Sequence, residues 1–330
     1  MIAYERHAHQ VRQRVKSARR VLLTVTHGLD GDSLGSLVAM GHLLDQWNIS
    51  WFAYVPEDVP PMFSYLTKKR KIMREMDSSI HDFDVVIIFD TGDMKRTPLI
   101  TDIVERTEKT HVINIDHHPT VIVFQEKQAV DHNIVDTEAA STTEMIYHLI
   151  QHLDIKISVP MATSLLTGLL TDTTHFSNPA TTSTAVDVAA KLMARGADHR
   201  TITEATMRNK NMATLKLWGR ALSRLAYNEH SGIVSTVVTL RDIAECEADE
   251  DATTGIANFL TTLSDGKVAL VLQEAPNGIV KGSFRTTSDV DVAALAEKFG
   301  GGGHKKAAGF KIKGKLVETG LGWQVERIST

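Results

Sequence analysis

Asp84-Val85-Val86-Ile87-Ile88-Phe89-Asp90-Thr91-Gly92-Asp93 is the clearest strand signal in the chain. Four β-branched residues and a phenylalanine in succession, bounded by aspartates and a glycine, read as a short buried strand running into a loop. Working outward, Val21-Leu22-Leu23-Thr24-Val25-Thr26 is a second such run. It stops at His27-Gly28-Leu29-Asp30-Gly31-Asp32-Ser33, and a helical pattern follows from about Leu34 to Gln46 with Ser33 or Asp32 as its expected cap. Trp51 to Val55 is a further strand, 56–80 holds a short helix or two, and 97–108 is helix-like. Thr110-His111-Val112-Ile113-Asn114-Ile115 is again strand, ending at Asp116-His117-His118 with Pro119 in the turn. Helices are expected over 4–19, over 137–153 with Thr137 as cap, over 159–170 leading into Thr171-Asp172-Thr173-Thr174-His175-Phe176, and over 182–195.

Strands alternating with helices predict an α/β fold, a doubly wound, mostly parallel sheet with helices on both faces. Ligands of such sheets bind beyond the carboxyl ends of the strands. Three of the four acidic clusters fall at that edge, and Asp172 reaches it from a helix end. After the polar stretch Ala197 to Lys210 the pattern changes. A connecting helix is expected over 211–228, strands at Ile233–Leu240, Lys267–Gln273, Ile279–Thr286 and 307–313, and helices at 252–263 and 290–299. These make a smaller α+β domain.

The chain has 330 residues, 42% of them apolar, and a net charge of −4. That balance argues against a sequence-independent duplex-DNA binder, which would be basic. One cysteine, Cys246, excludes an internal disulfide framework and fits a reducing, cytoplasmic compartment. No apolar run is long enough for a membrane span, and Met1 to Arg20 lacks the apolar core of a secretory signal. A homodimer stays open.

His27, Asp30, Asp32, Asp90, His117 and Asp172 together form a candidate metal site. Any one of these aspartates alone would be an ordinary turn or cap residue; their joint placement is what points to metal. Mixed imidazole and carboxylate donors suit manganese, zinc or iron better than calcium, and the lack of a cysteine ligand argues against structural zinc. Four carboxylates balance two divalent cations, for which Asp90 is the expected bridge. A water held there would ionise near neutral pH and attack phosphorus. In the second half, Lys281, Ser283 and Arg285 share one strand face. The run Gly300-Gly301-Gly302-Gly303-His304-Lys305-Lys306 follows, with glycines that let backbone N–H groups approach an anion.

The four stretches 27–36, 90–93, 116–118 and 171–173 resemble, in order, the motifs of the DHH phosphoesterase family, and 301–310 resembles the signature of its DHHA1 domain. The resemblance implies a DHH catalytic domain over 1–196, a helical linker over 197–228 and a DHHA1 substrate-binding domain over 229–330, facing each other across a cleft. It implies two Mn²⁺ per chain, with Mg²⁺ or another divalent ion as alternatives. His27, Asp30 and Asp90 would hold one ion, and Asp32, Asp90, His117 and Asp172 the other. His118 would face the scissile phosphate, with Asp116 orienting it, and Arg285, His304, Gly302 and Gly303 would bind the nucleotide. Such enzymes cleave short oligoribonucleotides or remove the 3′-phosphate of 3′-phosphoadenosine-5′-phosphate (PAP). Related members cleave cyclic di-AMP or linear dinucleotides, and a nucleotide-binding sensor is the alternative of another class. The chain departs from the family's H-x-x-x-D spacing, since His27 and Asp30 lie one residue closer, and Thr174 stands where the family commonly has glycine.

Overall fold

The computed structural model describes residues 2–68, 72–76, 79–118, 130–208, 210–320 and 322–327. Pro119 and the side chain of His304 lie outside the described residues. The chain divides into two compact units, Met1–Asn209 and Lys210–Thr330.

The first unit runs α1 (Tyr4–Ser17), β1 (Arg20–Val25), α2 (Gly31–Gln46), β2 (Ser50–Tyr54), α3 (Ser64–Thr67), β3 (Ile72–Met73) and β4 (Val85–Phe89). It continues through α4 (Ile100–Val104), β5 (His111–Asp116), β6 (His132–Val135), α5 (Thr142–Gln151), α6 (Val159–Asp172), α7 (Ser183–Ala194) and α8 (His199–Thr206). Its sheet is wholly parallel, in the order β3-β2-β1-β4-β5-β6. The order reverses between β1 and β4, and their carboxyl ends flank the crevice where doubly wound sheets bind ligands. Alternation along the strands fills both faces. Val21, Leu23, Ile87 and Phe89 join the core under α1, α2, α5, α6 and α7, whereas Leu22, Val86 and Ile88 pack with Phe83 and Ile103 on the other face. Each such fully buried side chain contributes roughly 1.5–3 kcal/mol relative to exposure.

Several boundaries differ from the sequence expectation. Asp30, not Ser33 or Asp32, caps α2, because its carboxylate accepts from the N–H groups of Asp32 and Ser33 while Ser33 closes a capping box. Ser141, not Thr137, caps α5, with its hydroxyl accepting from Glu144 N–H. The expected helix over 97–108 is only α4, since the Arg106 side chain donates to the carbonyls of Ile103 and Thr110 and closes its end.

The N-terminal helix is tied to the sheet edge by polar contacts. Tyr4 donates to Asp136 Oδ2 at 2.8 Å, and the rings of His7 and His132 share a hydrogen bond at 2.9 Å. Burial, then the neighbouring His7 and His111, lower the His132 pKa from 6.5 to about 4. The unfolded chain therefore binds a proton that the folded chain refuses across that window, and the stability is complete above pH 6.5 and lost as pH falls toward 4. The thermal midpoint should decline through this window, and His132→Gln should flatten that part of the profile; an unchanged slope would contradict the assignment.

The second unit holds α9 (Met212–Ser223), β7 (Ala226–Asn228), β8 (Ile233–Val238), α10 (Leu240–Glu245), α11 (Ile256–Leu260), β9 (Val268–Ala275) and β10 (Ile279–Arg285). It ends in α12 (Val292–Glu297), β11 (Gly302–His304), β12 (Ala307–Thr319) and β13 (Gly322–Arg327). The expected connecting helix thus stops at Ser223 and gives way to a strand, and the expected helix over 252–263 is a 3-10 turn followed by α11. The sheet order is β11-β12-β10-β9-β8-β7, with β13 on β12, antiparallel except for β8 and β9. α9, α10 and α11 cover β8 and β9 on one face, and α12 packs on the other against Phe284 and Phe310.

Candidate metal centre

The carboxyl ends of β1, β4 and β5 and the end of α6 bring five of the expected ligand and catalytic side chains together. Ligand atoms of Asp90, His117 and His118 lie within 4.8 Å of one another, as do those of Asp32, His117 and Asp172. His117, rather than Asp90, belongs to both groups. Its Nε2 lies 3.0 Å from Asp172 Oδ2 and 3.7 Å from Asp90 Oδ1. On its other side Nδ1 sits 3.2 Å from the carbonyl of Ala139. A carbonyl only accepts, so Nδ1 carries a proton and Nε2 is the ring atom turned toward the carboxylates, the orientation of a ligating histidine.

Asp90 follows β4 in the left-handed region, at φ 54°, a conformation aspartate tolerates better than most side chains. Its backbone N–H donates to Ile115, which ties the bend to β5. Its Oδ1 lies 3.2 Å from His118 Nδ1 without the geometry of a hydrogen bond. Asp32 is fully buried and accepts from Thr142 N–H at 2.6 Å, Thr143 N–H at 2.9 Å and Thr143 Oγ1 at 2.8 Å. The amino end of α5, whose first N–H groups need partners, is thus satisfied by a carboxylate from α2. That contact requires α2 and α6 to approach closely. A Cβ on Gly168 would lie 2.5 Å from Asp32 Oδ1.

Asp116 is also fully buried and plays a different part. Its Oδ2 accepts from Gly92 N–H at 2.9 Å, and its Oδ1 takes the backbone N–H of His118 and the ring Nδ1 at 2.9 Å. It fixes the His118 ring and lies in neither ligand group. Burial raises its carboxyl, but the His118 hydrogen bond and charge hold it below the usual range. Burial lowers the His118 pKa, and the hydrogen bond to Asp116 with the nearby Asp90 outweighs it, pushing the ring up to about 11.

The other acids repel one another. Asp32 is driven well above the carboxylate range by burial and then by Asp172 and Asp90. Asp30 as a residue keeps an exposed surface, yet its carboxyl is hemmed in by protein; desolvation first, then Asp90 and Asp172, push it up to about 7. His117 is held up to about 9, where Asp172, Asp32 and Asp90 overcome the effect of burial. Two buried atoms at the centre, Asp90 Oδ1 and His117 Nε2, have no hydrogen-bond partner among the described residues. Unsatisfied polar atoms and like charges at one buried point are costly unless cations bind there. The oxygen and imidazole set fits a divalent metal.

His27 stands outside both groups, as does Asp30. His27 is exposed, in a loop whose Gly28 has φ 92°. Sequence reading missed what holds this loop: Glu57 Oε1 accepts from Gly28 and Leu29 N–H, and Arg96 donates to the His27 carbonyl. Thr174, His175 and Phe176 are all left-handed, at φ 48°, 53° and 63°. The family's preference for glycine at the first of them is thereby explained. Phe176 packs on the main core.

In the second unit Lys281, Ser283 and Arg285 alternate with buried Val280, Gly282 and Phe284 and share the opposite face. Arg285 donates to Asn258 Oδ1 and to the carbonyl of Phe284. A pocket of ≈ 410 Å³ is lined by Lys281, Ser283, Gly301, Gly309, Phe310 and Lys311 among others. A Cβ at Gly301 or Gly303 would strike β12 backbone at 2.1 and 2.5 Å, so those glycines are required by the hairpin itself. At Gly302 a Cβ would meet nothing within 4 Å. Of His304 only the backbone is described, paired with Ala307.

Residues 20–173 match the model of the DHH family N-terminal domain and residues 229–321 that of the DHHA1 domain. The chain is 29% identical over 285 residues to the bifunctional oligoribonuclease and PAP phosphatase NrnA of Thermus thermophilus, covering 86% of this chain and 82% of that one. It is 30% identical over 209 residues to the cyclic-di-AMP phosphodiesterase GdpP of Geobacillus thermodenitrificans, covering 63% of this chain and 30% of the larger protein. The fold is shared with a crystal structure of an exopolyphosphatase-related protein from Bacteroides fragilis, at a TM-score of 0.84 and 23% identity, over 93% of this chain and 91% of that one. Among the described residues no helix is long and apolar enough to cross a membrane. With both domain models matched in order along a chain whose acidic and histidine motifs converge at one sheet edge, the protein belongs to the DHH phosphoesterase family and carries its DHHA1 domain.

Proposed function

We propose that the protein hydrolyses short oligoribonucleotides or dinucleotides to mononucleotides, removes the 3′-phosphate of PAP, or does both, using two Mn²⁺ ions. The convergence of Asp32, Asp90, Asp172, His117 and His118, with two buried atoms that lack a hydrogen bond among the described residues, carries this reading. Asp32, Asp90, His117 and Asp172 would hold one cation, and His27, Asp30 and Asp90 the other. Divalent cations in such a set supply Lewis acidity and neutralise charge on phosphoryl oxygens. The chain's own residues supply position. Asp116 locks the His118 ring, so that the protonated imidazole donates toward a phosphate oxygen. Asp32, held by Thr142 and Thr143, cannot swing away from the site. Arg285, Ser283, Lys281, Gly302, Gly303 and His304 are assigned to the nucleotide. Open space at Gly302 supports a close backbone approach there.

Likeness to the GdpP enzyme supports a second reading, cleavage of cyclic di-AMP or of the linear dinucleotide. The test is a panel of 5′-phosphorylated diadenylate, PAP and cyclic di-AMP at fixed Mn²⁺, read for rate and product. AMP released from the diadenylate or from PAP is expected to dominate. Tight binding of all three with no product would overturn the enzymatic reading in favour of a sensor.

A further inference from the structure

We propose that the open half of the second unit's sheet is a phosphate track, in which Lys311 and Lys281 hold a second phosphate of an oligonucleotide beyond the one assigned to Arg285. The proposal rests on the nucleotide reading above and names the ligand as a chain of linked phosphates. The helices α9, α10 and α11 cover this face over β8 and β9, where Ala269, Val271 and Val238 are buried beneath them, and α11 reaches β10 only at its Arg285 end, through Asn258. The register continues the same face across β10 and β12 as Arg285 beside Ala307, Ser283 beside Gly309 and Lys281 beside Lys311. Gly302 of β11 lies next to Gly309. The floor is therefore small or backbone in the middle and cationic at both ends, and it borders the ≈ 410 Å³ pocket.

Like charges directly opposite on paired strands are destabilising. Lys281 and Lys311 are such a pair, and neither makes an ion pair among the described residues. The β9 residue opposite Lys281 is Gln273, whose amide is engaged with Thr253 and the Glu250 carbonyl, so no carboxylate neutralises the pair from that strand. Arg285 is likewise paired with a neutral partner, Asn258. An anion between the two lysines removes the repulsion. Alternate residues on a strand lie roughly 6.8 Å apart, so Lys281 and Arg285 are separated by roughly twice that. Phosphates two steps apart on an extended strand can occupy both ends, with Ser283 and Gly309 beneath the nucleosides between them. A mononucleotide reaches only one end.

The test measures equilibrium binding to the full chain in EDTA, so that metal and turnover take no part, with 5′-phosphorylated tetraadenylate and AMP as probes over a range of salt. Lys311→Ala should weaken tetraadenylate about tenfold. It should also reduce the slope of log affinity against log salt by about 0.7. AMP binding should be unchanged, and Lys311→Arg should restore the tetraadenylate affinity. An equal loss for both probes, an unchanged salt slope, or no tetraadenylate binding by the wild type would each overturn the track. If the track holds but the Mn²⁺-loaded protein releases no product, the proposed hydrolysis fails and this inference stands.

Discussion

Asp90→Asn is expected to reduce turnover of a short oligoribonucleotide by about 10²–10³-fold, on the scale of losing one electrostatic contact aimed at the transition state. Asp90 contributes a buried oxygen without a hydrogen bond among the described residues and lies beside both His117 and His118. The amide keeps the size and the left-handed bend but cannot supply the second negative oxygen that a cation needs. Folding should survive. The Asp90 charge raises the carboxyls of Asp30 and Asp32 but also attracts His117 and His118, so removing it from the metal-free protein relieves repulsion and loses attraction together. The metal-free thermal midpoint at neutral pH should stay nearly level, while the rise normally gained on adding Mn²⁺ should shrink. A midpoint several degrees lower, with turnover intact, would mean that Asp90 is a structural residue.

Gly168→Ala should be the most damaging small substitution in the first unit. Helix propensity alone would favour alanine by up to about 1 kcal/mol. Here the added carbon would lie 2.5 Å from Asp32 Oδ1 and 2.5 Å from both Cγ2 and Oγ1 of Thr143. None of these can step aside freely, because Asp32 is buried and bound to Thr142 and Thr143. Overpacking of this kind costs about 1–3 kcal/mol, and separating α2 from α5 would add the loss of charge-assisted hydrogen bonds. We expect a net loss of about 2–3 kcal/mol, read as a lower urea midpoint at unchanged m-value, together with weaker Mn²⁺ binding. Stability preserved with full metal affinity would show that the two helices have slack.

Much of this arrangement is legible in the sequence because burial writes it there. A strand covered on both faces must be apolar at every position, so β1, β4 and β5 stand out, and the polar residues after Val25, Phe89 and Ile115 mark the carboxyl edge. What is not legible depends on distant contacts. Nothing near Asp32 in the chain foretells that its carboxylate receives the amino end of α5, because Thr142 and Thr143 lie 110 and 111 residues away. The same contact explains why α5 begins after Ser141 and not at Thr137. The pinning of the His27 loop by Glu57 and Arg96 is equally non-local. In the second unit the lysine, serine and arginine stripe follows from strand period alone. Lys311 emerges only from the register of β10 against β12. The hairpin also corrects the simplest view of the glycine run, since Gly301 and Gly303 are required by close backbone approach and Gly302 is not.

The most direct measurement of the central claim is a calorimetric titration of Mn²⁺ into the metal-stripped full chain, beside the Asp90→Asn variant. Two ions bound per wild-type chain, and fewer or none in the variant, are expected. No saturable binding by the wild type, or the same stoichiometry and affinity in both proteins, would contradict the assignment of this sheet edge as a metal centre.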